Sequence, residues 1–239
     1  MSAPCVLVLA GLDPSGGAGI LADAEAIRAG GARPLCVPTA ITVQTTRSVR
    51  RWEPVAHSLF TACAHALLEE ENIRAVKVGM IGEAKIAKLI REWLSHRRDL
   101  PVVVDPVLQA SSGTLLFRGS LEAAREAYLS LAEGGVLTPN LAEAQVLGDG
   151  PPDAAKLLAQ GPRAVLLKGG HLPGDPVDVL ATAEGIEEFR APRIKVTARG
   201  TGCRLSSAMA AGLARGVKLR DAVVGAREFV RAYLSRQAP

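Results

Sequence analysis

The sequence predicts an α/β fold: a doubly wound, mostly parallel central sheet with helices on both faces and a small antiparallel hairpin. Three observations predict it. Short β-branched runs alternate with longer segments of helical spacing along most of the chain. The runs are apolar throughout rather than alternating, as strands are when helices cover both faces of their sheet. The 239 residues, 48% of them hydrophobic, suit one large core better than two small ones. A single domain over 1–239 is expected.

Residues 6–10 read as a buried strand. Helix 20–29 follows, rich in alanine and ended by Gly30 and Gly31. Strand 35–43 contains Pro38, which should confine part of it to an edge or a bulge. Helix 55–71, strand 75–78, helix 84–96 and strand 102–105 continue the alternation. Helix 121–132, strand 135–138, helix 141–147, short helix 154–159 and strand 164–168 repeat it. Runs 177–182 and 185–190 differ, because the turn around Ala183, Glu184 and Gly185 joins them directly as a hairpin. Helices 202–215 and 219–236 close the chain. Asp221 lies in the first turn of the last helix, where its charge suits the helix dipole.

Composition narrows the function. The net charge is +4 and charged residues make up 22%, a mildly basic balance suited to handling a small anion and too weak for nucleic acid. The densest basic run, Arg47, Arg50 and Arg51, reads as a solvated loop. Aromatics are only 3%, which disfavours a base-stacking surface. Cys5, Cys36, Cys63 and Cys203 have no CxxC spacing and no histidine cluster beside them, so zinc and disulfides are not expected and a reducing cytoplasm is. The apolar run at 6–10 is a strand's length, neither signal peptide nor membrane span.

Ligands of open α/β sheets sit at the carboxyl ends of the strands, and unusual residues gather there. Loop 11–19 follows the first strand with Gly16, Gly17 and Gly19 close together, letting backbone approach a ligand. Its spacing is neither a Rossmann fingerprint nor a P-loop. Arg199, Gly200, Thr201, Gly202 and Cys203 open a helix. Amides there can stabilise charge on a transferring phosphoryl group, and a thiol there should have a lowered pKa. A glycine-rich cap with a buried cysteine is the plainer alternative. Asp105 and the group Thr138, Pro139, Asn140 and Glu143 follow two further strands. Such side chains can orient Mg²⁺ and its waters, though Asn140 and Glu143 also form a capping-box pattern. Lys168, ahead of Gly169, Gly170 and His171, could neutralise phosphate.

In their order these motifs resemble the hydroxymethylpyrimidine/phosphomethylpyrimidine kinase family of the ribokinase-like superfamily. The match includes loop 11–19 with Ala22 and Asp23, segment 39–44, Lys77, Gly79 and Met80, Asp105 to Val107, Asn140 with Glu143, Lys168 to His171, and Gly200 to Cys203. The resemblance implies a ribokinase-like cytoplasmic enzyme that uses ATP and Mg²⁺ to phosphorylate 4-amino-5-hydroxymethyl-2-methylpyrimidine, and its monophosphate, in thiamin biosynthesis. Gly11, Ala18, Asp23, Gln44, Met80 and Val107 would form the pyrimidine pocket, with the Gln44 amide reading the ring edge. Gly200, Thr201 and Gly202 would be the anion hole, and Cys203 would orient or deprotonate the acceptor hydroxyl. Lys168, Asn140 and Glu143 would serve ATP, with Asp105 and Glu143 toward the metal. Partners would be the small-molecule pyrimidine and ATP, with no nucleic acid or membrane, in a homodimer. Three positions depart from the family pattern: Thr45 and Thr46 replace Asn-Thr, Ser111 and Ser112 precede Gly113 in place of Lys-Ser, and Arg199 stands where a histidine is common. Pyridoxal kinase shares the fold and is the nearest alternative. A catalytically weak pyrimidine-binding protein is the other.

Overall fold

A computed structural model describes residues 3–110, 113–170 and 174–237. In chain order the elements are β1 (Cys5–Leu12), α1 (Gly19–Ala29), β2 (Arg33–Gln44), β3 (Val49–Pro54), α2 (His57–Glu70), β4 (Ile73–Val78), β5 (Gly82–Glu83), α3 (Ala84–Ser95), β6 (Val102–Val104), β7 (Phe117–Arg118), α4 (Leu121–Ala132), β8 (Val136–Leu137), α5 (Leu141–Gly148), α6 (Ala154–Leu158), β9 (Ala164–Leu167), β10 (Val177–Thr182), β11 (Gly185–Arg190), α7 (Thr201–Ala214) and α8 (Leu219–Gln237).

The main sheet runs β11-β10-β9-β8-β6-β4-β1-β2-β3. The six strands from β9 to β2 are parallel, while β3 at one edge and the hairpin β10–β11 at the other are antiparallel. Each strand of the parallel core sends alternate side chains to opposite faces. Leu7 and Leu9 of β1 pack with Phe60, Ile86 and Tyr128 on the α2–α5 side. Val6 and Val8 pack with Ile27, Met209 and Val223 on the side of α1, α7 and α8. Around β1 both faces are dry, so that strand carries no polar alternation, whereas β2 exposes alternate residues along part of its length. Among the described residues no helix is long and apolar enough to cross a membrane.

The chain leaves β1 for β2 and β3 on one side, then returns to β4 on the other. This reversal opens a crevice at the carboxyl ends of β1 and β4, the usual ligand site of such sheets.

One expectation needed correction. The basic run is not a loop, because Arg50 and Arg51 lie within edge strand β3 paired to β2. Of the two outcomes expected at Pro38, an edge or a bulge, the second is found. The strand has neighbours on both sides and absorbs the proline with a register shift, where Ala10 pairs Pro38 but Gly11 pairs Ala40. The small sheet of β5 and β7 was not foreseen.

Candidate active site

A cavity of about 1020 Å³ lies along the carboxyl ends of the parallel strands. Its first end is organised by Asp13, just beyond β1. The carboxylate accepts from the Ser15 amide and hydroxyl at 2.9 and 2.7 Å and from the Ala18 amide at 3.0 Å. It also accepts from the Gln44 side-chain amide at 3.0 Å. Gln44 therefore has one carboxamide hydrogen fixed toward Asp13, while its oxygen has no partner among the described residues and is left to accept. Gly11, Ala18, Met80 and Val107 line the same end. Met80 is held in place by its neighbours: its carbonyl accepts from the Thr39 hydroxyl, and its side chain lies where a Cβ on Gly11 would stand.

The middle is the N-terminus of α7. Gly200 caps the helix in the left-handed region, with φ of 66°. A Cβ there would stand 2.2 Å from the Gly17 carbonyl oxygen, so only glycine lets loop 11–19 and α7 meet this closely. Arg204 fastens the same contact by donating to the Gly17 carbonyl at 2.9 Å, with its guanidinium 4.1 Å from the Tyr233 ring centroid. The amides of Thr201, Gly202 and Cys203 begin the helix and lack intrahelical acceptors. Lys168 stands beside them, its Nζ 3.0 Å from where a Gly202 Cβ would be and 2.7 Å from Asp105 Oδ1.

Burial works against charge on Asp105, but Lys168 and Lys77 outweigh it and hold the carboxyl below its ordinary range. Burial also works against Lys168, yet Asp105 and Glu143 keep it charged. The Cys203 thiol does not behave as its helix position suggested. Burial pushes it up to about 12, and the nearby Lys77 charge only partly opposes that. The Asp105 and Asp23 carboxylates add to the upward pull, so the group is a thiol at neutral pH.

Asn140 and Glu143 close a complete capping box on α5. The Glu143 amide donates to Asn140 Oδ1 at 2.9 Å, and the Asn140 amide donates to Glu143 Oε2 at 2.8 Å. Both residues also line the cavity. Burial raises the Glu143 carboxyl to about 7, against the pull of Lys168. The far end is walled by Pro192, Ile194, Val196 and Leu234, with an Arg227–Asp178 ion pair beside them.

The cavity thus gathers every site residue expected from the sequence except Asp23. That carboxylate is fully buried beneath the floor, not in the pyrimidine pocket. It accepts from Lys77 Nζ at 2.9 and 3.0 Å and from the Ser207 hydroxyl at 2.8 Å. Burial would strip Lys77 of its proton, but Asp23 keeps the ammonium charged, and Lys77 is the member of the pair that reaches the cavity. His171, Ser111 and Ser112 lie outside the described residues. Sequence reasoning missed Asp13, Lys77 and Arg199 as site residues, although each stood inside or beside a quoted motif. It had no signal for the far wall, most of which, Pro192, Ile194 and Val196, follows β11 as irregular chain.

The chain matches the family model described as phosphomethylpyrimidine kinase over residues 13–239. It is 40% identical to a hydroxymethylpyrimidine/phosphomethylpyrimidine kinase of Streptomyces coelicolor, over 99% of this chain and 90% of that one. The structure resembles a phosphomethylpyrimidine kinase from Clostridium difficile 630, with TM-score 0.81 and 32% identity over 97% of this chain and 99% of the other. It also resembles a Bacillus subtilis pyridoxal kinase solved with ADP, with TM-score 0.82 and 30% identity over 95% and 90% of the two chains. The fold is the ribokinase-like one that the sequence predicted.

Proposed function

We propose that this chain, which belongs to the phosphomethylpyrimidine kinase family, transfers the γ-phosphoryl group of ATP to 4-amino-5-hydroxymethyl-2-methylpyrimidine and then to the resulting monophosphate, supplying thiamin biosynthesis. The observation that carries the reading is the position of the α7 N-terminus. Its free amides and Lys168 line the same cavity as the polar Gln44 and the apolar Pro192, Ile194, Val196 and Leu234. A donor, an acceptor and a charge-stabilising centre fit that cavity. Such centres act by positioning and electrostatics rather than covalent chemistry.

Residues divide along it. Gly11, Ala18, Gln44, Met80 and Val107 hold the pyrimidine, with the Gln44 oxygen accepting from the exocyclic amine. Gly200, Thr201 and Gly202 present amides to the γ-phosphate. Cys203, protonated, orients the acceptor hydroxyl rather than deprotonating it. Asn140, Glu143 and Lys168 face the nucleotide, which takes the apolar end. Asp105 and Glu143 each have one oxygen committed, to Lys168 and to the Asn140 amide. Among the described residues no group of three or more His, Cys, Asp and Glu could hold a metal. These two carboxylates fit Mg²⁺ as it is usually bound, through one or two carboxylates, waters and substrate phosphates. When bound it would neutralise phosphate charge. The four cysteines are free, as a reducing cytoplasm would leave them, and a homodimer belongs to the same reading.

The similarity to a pyridoxal kinase keeps one rival. ATP consumption with the hydroxymethylpyrimidine, its monophosphate and pyridoxal, each with and without Mg²⁺, separates them. Turnover of both pyrimidines, dependent on Mg²⁺, is expected. Higher kcat/KM on pyridoxal would give the site to the rival.

A further inference from the structure

The charges around the cavity are unevenly committed. Lys168 and Lys77 are each held by a buried carboxylate. Arg227 is paired with Asp178, and Arg231 donates to the Pro192 carbonyl. Arg199 differs in place and in commitment. It lines the cavity directly before Gly200 and reaches over the acceptor end. One nitrogen donates to the Thr45 carbonyl at 2.8 Å, and another touches Asp13 Oδ2 at 3.4 Å. The guanidinium has five N–H donors, and the other three have no acceptor among the described residues. The Asp13 contact is a long ion pair at 3.4 Å, and that carboxylate also accepts from four neutral donors at 2.7–3.0 Å.

Resting on the kinase reading above, we propose that Arg199 binds the acceptor's own phosphate when the pyrimidine monophosphate is the substrate, and so sets the enzyme's competence for the second phosphorylation. The first acceptor is a neutral alcohol. The second brings a monoester with roughly −1.5 to −2 charge at neutral pH, and that charge needs a cation on the acceptor side. A guanidinium with spare donors matches phosphate oxygens better than a point charge would. Its attachment to Thr45 sets it between the Gln44 pocket and the anion hole, where an acceptor phosphate must lie to meet the donor. In this step a phosphate oxygen of the monoester forms a bond to the γ-phosphorus. The bond from that phosphorus to the bridging oxygen of ATP breaks, and its electron pair leaves with ADP. The attacking oxygen is already ionised, so the step releases no proton.

The experiment compares kcat/KM on the monophosphate with kcat/KM on the alcohol in the wild type, Arg199→Gln and Arg199→Lys. Taking the ratio cancels any general damage from losing the Thr45 and Asp13 contacts. In Arg199→Gln the ratio should fall about 10- to 100-fold, the usual effect of one charge-assisted bond to phosphate. Lysine should restore part of it. Binding of the monophosphate without nucleotide should weaken in the same order. An unchanged ratio, whether both rates fall together or neither falls, overturns the assignment. A wild type that phosphorylates the alcohol but not the monophosphate also overturns it and leaves the first step standing. Turnover of neither pyrimidine overturns the kinase reading itself.

Discussion

At Cys203 two forces oppose each other, and their balance decides what the residue can do. The helix terminus and Lys77 favour a thiolate, whereas burial favours the thiol and prevails, with a pKa of about 12. A group so protonated is a poor base at neutral pH, but it can still orient a hydroxyl. The alcohol presents a hydroxyl for Cys203 to orient and the monophosphate presents an ionised oxygen instead, so Cys203→Ala should affect the two steps unequally. We expect a loss of about 10²-fold in kcat on the alcohol, the size of a misplacement effect, and a clearly smaller loss on the monophosphate. Single-turnover rates on both acceptors check this. Equal losses would mean that the side chain only shapes the hole. The motif holding Cys203 was legible because five adjacent letters specify a helix start and its amides. Asp13 was hidden in plain view: its role comes from Gln44 and Arg199, 31 and 186 positions away, and no local pattern marks such meetings.

Among elements, α5 was the most legible, because a capping box is local and its side chains sit three residues apart. The expectation that Asn140 and Glu143 cap the helix is borne out, and both residues also line the cavity. Burial of the Glu143 carboxyl couples this cap to pH. Its pKa is raised from 4.5 to about 7, so its contribution to stability is fully present below about 4.5 and is lost as pH rises through about 7. Glu143→Gln keeps an oxygen for the Asn140 amide and removes the titration. Relative to this variant, the wild type should lose stability on the order of 1–3 kcal/mol between pH 5 and 8. Urea denaturation at three pH values measures the difference, and a constant difference would show that burial does not govern the group. Strand β3 was illegible for the opposite reason. Arg50, Arg51 and Glu53 are charged residues on an exposed edge, where charge deters pairing with other chains, and such a strand carries the composition of a loop. Trp52, which donates to the Leu115 carbonyl at 3.0 Å, was the single hint that this segment packs.

At the scale of the whole molecule, the parallel alternation was readable because each strand's apolar run is set by two covering layers. What the alternation could not reveal is how those layers are tied beneath the site. Asp23 on α1, Lys77 on β4 and Ser207 on α7 meet in one fully buried group, and the partners stand 54 and 184 positions from Asp23. The pair lies where α1, α7 and the middle of the sheet converge, so its geometry bears on the α7 N-terminus above it. Buried ion pairs contribute little net stability when intact, yet they cost heavily when one partner is removed. Lys77→Met should therefore destabilise the protein by about 3–5 kcal/mol, leaving the Asp23 carboxyl buried without its partner. Combining it with Asp23→Leu should recover most of that loss, because no unpaired charge remains. Chemical denaturation of the wild type, both single variants and the double variant completes the cycle. If the double variant is as unstable as Lys77→Met, packing rather than charge pairing holds the three elements together. If it regains stability but not turnover, the Lys77 charge serves the phosphoryl-transfer centre beyond holding α1 and α7 to the sheet.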